Sequence, residues 1–413
     1  MRNRGPDRPL LFFTAALALY GLVVLYSAGQ TDAPTGAAGA WNRQLVWLGL
    51  GIVVAAVTFR ISFRLLEWAA PGIYALSILL LLLTLVIGTG AGSAASAKSW
   101  LAIGGMRIGQ PSELAKLATV LLLARYLSAL REPPNSLRAL LVPSAIAGVP
   151  FCLVMLQPDL GSALVFTGIF FVTLFWAGVR PFLLLLLASP VISMVLAVNG
   201  QLWGAWMIVL AVLLIAGRAF VTEGIAVYLV NSAMGVLAIV LWNRLKPYQQ
   251  QRLITFLNPE SDPAASGYQA IQSKVAIGSG GWTGNGLTQG PQKRLAFLPE
   301  QHTDFVFSVV GEELGFLGVL AALGLFFGLL LTLLRIARRA TDAFGSLVTA
   351  GILGLFLTHV FENVGMTVNV MPITGIPLPF FSYGGSFLLA CSIGIGLALR
   401  VAWDARLSGY ADA

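Results

Sequence analysis

Residues 297–318 read FLPEQHTDFVFSVVGEELGFLG, a polar, charged string that passes without a break into a long apolar run and so sets Asp304 where a membrane helix begins. The run from Phe305 to Leu334 amounts to roughly 45 Å of helix at about 1.5 Å per residue, longer than the roughly 30 Å hydrocarbon core. It must tilt or project, which places Asp304 in or just above the headgroup layer. An ionisable group there is costly unless it pairs, faces water or does chemistry, so position alone makes Asp304 a functional candidate. Glu312 and Glu313 follow on the same helix, Glu312 about 12 Å deeper. They are placed to pair with basic residues of neighbouring spans or to tune the field at Asp304.

The rest of the chain has the composition such a helix needs. With 57% hydrophobic and 10% charged residues, it cannot be a water-soluble globule, which carries about 25% charged residues. It reads as an all-α, polytopic membrane protein, a helical bundle of about 10–12 transmembrane helices forming one integral membrane domain over 1–413. Twelve apolar runs are candidates: 10–28, 45–59, 70–90, 112–130, 137–156, 160–177, 181–198, 203–217, 222–242, 305–334, 344–366 and 384–402. One long polar stretch is left, 243–303, read as a large extracytoplasmic loop. The first run ends YSAGQ without a clear small-x-small cleavage pattern and is read as a span, not a signal peptide.

Basic residues orient the chain. An even number of spans puts both termini on one side, and Arg2, Arg4 and Arg8 mark that side as cytoplasmic. On this assignment 15 of the 25 basic residues fall at inner loops and helix ends, which agrees with the rule. Six of the outer ten, Arg244, Lys246, Arg252, Lys274, Lys293 and Arg294, lie in the long loop, an excess that suggests an anionic partner outside the membrane. Cys152 and Cys391 lie in or beside apolar runs and read as packing residues.

Three shorter polar segments fall on the same side as the long loop: KSWLAIGGMRIGQPSELAK (98–116), QPDLGS (157–162) and MPITGIPLPFFSYGGS (371–386). In the first, Pro111 and Ser112 start a helix, and Glu113 and Lys116 share a face at i and i+3. A lysine in a first turn opposes the helix dipole, so Lys116 needs Glu113 or an anionic ligand. In the second, Pro158 ends one span, and Asp159 either caps the next or meets substrate. The third, rich in proline and glycine, cannot be helical and must be buried in protein or line a cavity. AIGSGGWTGNG (276–286) lacks a following GK[ST] and a preceding strand, which argues against a nucleotide loop. His302 and His359 are too few and too far apart for a zinc site. His359 and Glu362, sharing a helix face, read as a buried polar contact between spans.

SELAK (112–116), QPDLGS (157–162), GYQAIQSKVAIGSGG (267–281), FLPEQHTDFVFSVVGEELG (297–315) and GIPLPFFSYGGS (375–386), in this order, resemble the SEDS family of shape, elongation, division and sporulation proteins. The GIPLPF wording is nearer its elongation branch than its division branch. The resemblance implies a peptidoglycan glycosyltransferase that polymerises lipid II at the outer face of the cytoplasmic membrane. It implies Asp304 as the catalytic carboxylate, Glu113 and Lys116 as a substrate-handling pair, a divalent cation (Mg or Mn), and a class B penicillin-binding protein as partner. Bottom-up chemistry agrees, since a base must take the proton of the attacking sugar hydroxyl. Arg107, Lys116, Arg252, Lys274 or a cation would meet the leaving diphosphate, and Asp159 joins them as a substrate-binding candidate. The family usually has ten spans, so 199–242 reads as an added helical hairpin with Arg218 at its inner turn. Lys98 and Ser99 stand where the family often has an Arg-Trp pair. The rival reading, a lipid-precursor flippase, calls for charges at the midplane and two related halves, whereas the polar motifs crowd at one end.

Topology gives the first test. In a chain otherwise free of reactive thiols, a cysteine at position 218 should react with an impermeant thiol reagent only from the cytoplasm, and one at Gln289 only from outside. Labelling of position 218 from outside would reduce the count to ten.

Overall fold

In a computed structural model the described residues are 6–32, 35–90, 99–103, 106–217, 221–244, 250 and 267–411. Each apolar run of the sequence lies on a helix. In chain order these are α1 (Arg8–Ala28), α2 (Ala40–Arg60), α3 (Phe63–Ile87), α4 (Pro111–Ser128), α5 (Leu141–Leu156), α6 (Leu160–Trp176), α7 (Pro181–Leu196), α8 (Gly200–Ala216), α9 (Val221–Arg244), α12 (Val306–Arg339), α13 (Ala343–Thr367) and α14 (Gly385–Ala411). Two short helices, α10 (Tyr268–Ser279) and α11 (Pro291–Arg294), lie in the described part of the polar stretch 243–303. A two-stranded antiparallel hairpin, β1 (Leu101–Ile103) with β2 (Met106–Gly109), precedes α4. Among the described residues, seven helices are long and apolar enough to cross a bilayer, in α1, α2, α3, α9, α12, α13 and α14, and α5 to α8 are shorter apolar helices. The fold is a polytopic all-α membrane bundle.

Side-chain caps fix where several helices begin. Asp7, Asp159, Asn199 and Asp342 each accept a backbone N–H from the first turn that follows, satisfying donors a helix start leaves open. Asp7 does more. Its two carboxylate oxygens accept from Arg335 of α12 at 2.6 Å and from Arg406 of α14 at 2.8 Å, a clamp at the end of the bundle remote from Asp304.

Helix α13 lies at the centre, against α4, α6, α12 and α14, while α2 packs on α14 and α1 on α12. Helices α7, α8 and α9 share a separate apolar core of Leu186, Met207, Leu210, Leu214 and Val227. A polar knot runs through that unit. The Asn231 amide donates to Ser189 at 2.8 Å, and Ser193 donates to the Asn231 carbonyl at 2.6 Å and accepts from the Trp206 indole at 3.0 Å. Interhelical bonds of this kind hold helices together where lipid offers no hydrophobic drive.

The long run after Asp304 is not the single straight helix its sequence suggests. Gly315, at φ 61° and ψ −159°, divides it. Residues 306–313 are buried in protein, and 316–339 continue beyond the break as a helix of about 36 Å at 1.5 Å per residue. The break lets the loop after α10 cross at close range. Phe316 and Leu317 donate their N–H groups to Gly281 and Trp282 carbonyls at 2.9 and 3.1 Å, and Gly286 donates to Glu313 at 3.0 Å. A Cβ at Gly315 would press on the backbone nitrogens of Gly284 and Thr283.

Gly315→Ala is therefore expected to cost on the order of 1–3 kcal/mol, read as a lower thermal midpoint in detergent. Gly324→Ala, with nothing near its Cβ position, should melt with the wild type.

Candidate active site

Asp304 lies in a tight turn. The Glu300 carbonyl receives the N–H groups of Thr303 and Asp304 at 3.1 Å and of Phe305 at 3.3 Å, and the Asn363 amide of α13 donates to the Asp304 carbonyl at 2.8 Å. The same amide donates to the Ile376 carbonyl at 2.7 Å, so one side chain joins the turn to the proline-rich wall. Wall and turn nearly touch. Gly375, at φ 70°, brings its backbone so close that a Cβ would stand 3.1 Å from the Asp304 carboxylate, which is why this position needs glycine. Burial, then the charge of Glu300, pushes the Asp304 carboxyl up to about 7, with the Thr303 hydroxyl opposing and Asp159 adding to the rise. His302, beside it, is lowered by burial, with Glu300 opposing and Arg43 adding to the drop.

Asp159 performs the capping part offered for it by the sequence and also ties α6 to the start of α4. One oxygen caps α6 by accepting from Ser162 N–H at 3.0 Å, and the other accepts from the Gln110 amide at 3.0 Å. Its charge reaches Asp304. Beneath, Lys116 is fully buried, its ammonium donating to Glu113 at 2.6 Å and meeting His359 Nε2 at 3.1 Å. The His359 Nδ1 lies 2.9 Å from the Pro377 carbonyl, and its ring stacks on Phe387 at 4.3 Å. Lys116 thus finds both its i−3 neighbour and a histidine 243 positions away. Its ammonium faces protein and not solvent.

Asp304, Asp159, Glu113 and Lys116 are thus arranged around α4, α6, α13 and the wall. Lys274 is exposed on α10. Arg252, Lys98, Arg218 and Lys246 lie outside the described residues, as does the Arg107 side chain. Of the six loop cations proposed to meet an anion, Lys293 is turned inward and fully buried, and Arg294 pairs with Asp32 at 3.1 Å. Arg43, unmarked by any motif, lies at this end: its guanidinium sits 5.1 Å over the Tyr383 ring, and the Tyr383 N–H donates to His302. On the orientation expected from the basic residues, an arginine between two apolar runs on the depleted side was the available signal. Among the described residues no three His, Cys, Asp or Glu side chains gather as a metal cage. The described residues do not fit a cation held by protein alone.

The family model of FtsW/RodA/SpoVE cell cycle proteins matches residues 8–203 and 199–407. The chain is 35% identical to the peptidoglycan glycosyltransferase MrdB of Escherichia coli over 395 residues, 96% of this chain and 93% of that protein. It is 36% identical to the peptidoglycan glycosyltransferase RodA of Treponema pallidum, over 97% and 99%. Among solved structures, a chain of a peptidoglycan synthase complex that coordinates polymerization and crosslinking superposes with a TM-score of 0.72 at 32% identity, covering 97% of this chain and 98% of that one. The rod shape determining protein RodA of Thermus thermophilus gives 0.62 at 30%, covering 97% of each.

Lys116→Met should leave Glu113 buried without its cation and cost about 3–5 kcal/mol. Lys116→Met with Glu113→Gln removes both charges and should recover much of the loss in thermal midpoint. A single variant that melts like the wild type would show that the pair does not support the fold.

Proposed function

This chain belongs to the FtsW/RodA/SpoVE family of cell cycle proteins, and on that premise we propose how its residues carry out glycan polymerisation. It is a peptidoglycan glycosyltransferase of the membrane. The substrate proposed is lipid II, taken at the outer face, with both termini cytoplasmic and the work done during rod-shape elongation. The observation that carries the reading is Asp304: a half-buried carboxylate at the mouth of the bundle, fixed through its backbone by Glu300 and Asn363 and raised to about 7.

A general base works best with a pKa near the working pH. Asp304 takes the proton of the attacking sugar hydroxyl as that oxygen bonds to the anomeric carbon of the donor. The bond from that carbon to the diphosphate oxygen breaks, and the lipid diphosphate leaves with the electron pair. A single displacement of this kind inverts the anomeric centre and needs no second carboxylate as nucleophile.

Charge gathering on the diphosphate calls for cations at the mouth. Arg43 is exposed at that end and Lys274 is exposed on α10, and Lys274, Arg107 and Arg252 are proposed beside Arg43 from their motifs. Lys116, shut in with Glu113 and His359, is assigned to holding the site's floor. A divalent cation enters the proposal only as an ion brought with the diphosphate, since magnesium is held by one or two carboxylates together with substrate phosphates. The relative in the synthase complex couples polymerization to crosslinking. The partner proposed for this chain is accordingly a class B penicillin-binding protein.

Asp304→Asn should fold and lose glycan synthesis from lipid II by about 10²–10⁴-fold, since an amide accepts no proton. The wild-type rate should rise with pH through about 7 as Asp304 ionises. Purified protein, lipid II and gel analysis of glycan strands test both, and strands made by Asp304→Asn at the wild-type rate would end the assignment.

A further inference from the structure

Lys293 takes no part in the chemistry above, yet it is among the largest fully buried side chains of the protein. Its ammonium lies 2.8 Å from Glu313 and donates to the Ser27 carbonyl of α1 at 3.0 Å. The Ser27 hydroxyl donates to the second Glu313 oxygen and accepts the Thr288 N–H at 3.0 Å. The neighbouring carboxylate, Glu312, accepts the Gln292 and Lys293 N–H groups at 2.6 and 3.2 Å. Two adjacent carboxylates of α12 thus grip the loop at residues 292–293, and α1 braces the grip. Gln301, three residues before Asp304, adds a bond from its amide to the Ala28 carbonyl at 2.9 Å.

The chain between Lys293 and Glu313 is therefore a closed loop, fastened by one ion pair at its ends, with Asp304 near its middle. We infer that the Lys293–Glu313 pair is a positioning clasp for glycosyl transfer: it presses this loop onto α1 and α12, and thereby sets the place and the dryness of the Asp304 carboxylate. A buried ion pair adds little net stability over a well-packed apolar pair, though breaking one half is destabilising. Its directional bonds fix register instead, and the register here is that of the turn 300–305 against the wall at Gly375. The groups facing Asp304, namely Glu300, Thr303 and Asp159, belong to that loop and to the cap of α6. A slack clasp would let the first two move and admit water. The inference rests on Asp304 being the base.

The test uses the purified full-length chain, lipid II, and the double variant Lys293→Met with Glu313→Gln, which leaves no unpaired charge. Expected are a thermal midpoint close to wild type, kcat lower by roughly 10²-fold, KM little changed, and an acid limb of the pH–rate profile moved to lower pH as Asp304 gains water. Lys293→Arg, which keeps the charge, should retain the wild-type limb. A double variant with wild-type kcat and limb would overturn the clasp. So would a pH profile scaled down uniformly with a lowered midpoint, the mark of a purely structural pair. Asp304→Asn run alongside separates the two ideas: a fully active Asp304→Asn defeats the base, whereas an inactive one beside a wild-type-like double variant defeats the clasp alone.

Discussion

An ionisable group withdrawn from water must be matched by an opposite charge or by hydrogen bonds, and the end of this bundle that carries Asp304 is organised by that requirement. Lys116 is matched by Glu113 and His359, Lys293 by Glu313 and Ser27, Glu312 by two backbone N–H groups, and Asp159 by an amide and a helix start. Asp304 is matched less fully. Its backbone is held on both sides, but against the charges of Glu300 and Asp159, of its own sign, its carboxylate has the Thr303 hydroxyl. The site spends its cations elsewhere and leaves the Asp304 carboxylate poised to take up a proton.

The same requirement shapes the backbone around it. The proline-rich wall offers carbonyls at Ile376 and Pro377, used by Asn363 and placed against His359, so a segment unable to make helical bonds still has partners at that depth. The glycines of 276–286, which a phosphate-binding reading would claim, instead let two chains pass. Gly281 and Gly286 trade hydrogen bonds with Phe316 and Glu313 on either side of the break at Gly315. Their freedom is used for crossing.

Much of this was legible in the chain. Apolar length located every long helix, because the signal for a span is local and additive, and the motifs around Asp304, Glu113 and Asp159 announced themselves by charge at span ends. What stayed hidden was long-range. That Lys293 turns inward to Glu313, and that Lys116 meets His359, depends on which helices touch, and no local pattern encodes it. The loop's basic count suggested a surface for anions, yet Lys293 and Arg294 are engaged within the protein. The break at Gly315 was masked by an apolar run that reads as continuous. Arg43 was hidden for the opposite reason: a single arginine has no pattern.

The clamp at the remote end has a bearing on how the molecule is made. Asp7 precedes its partners Arg335 and Arg406 by 328 and 399 residues. A ribosome delivers the carboxylate well before either guanidinium. Asp7 can cap α1 from the outset, its first guanidinium arrives with α12, and the two-armed contact closes only once α14 has inserted. Because loop closure across such a separation is slow relative to local helix formation, the clamp is a late contact: a chain that lacks α14 keeps only the Arg335 arm, and the second arm forms only when that last helix has joined α12 at the same end.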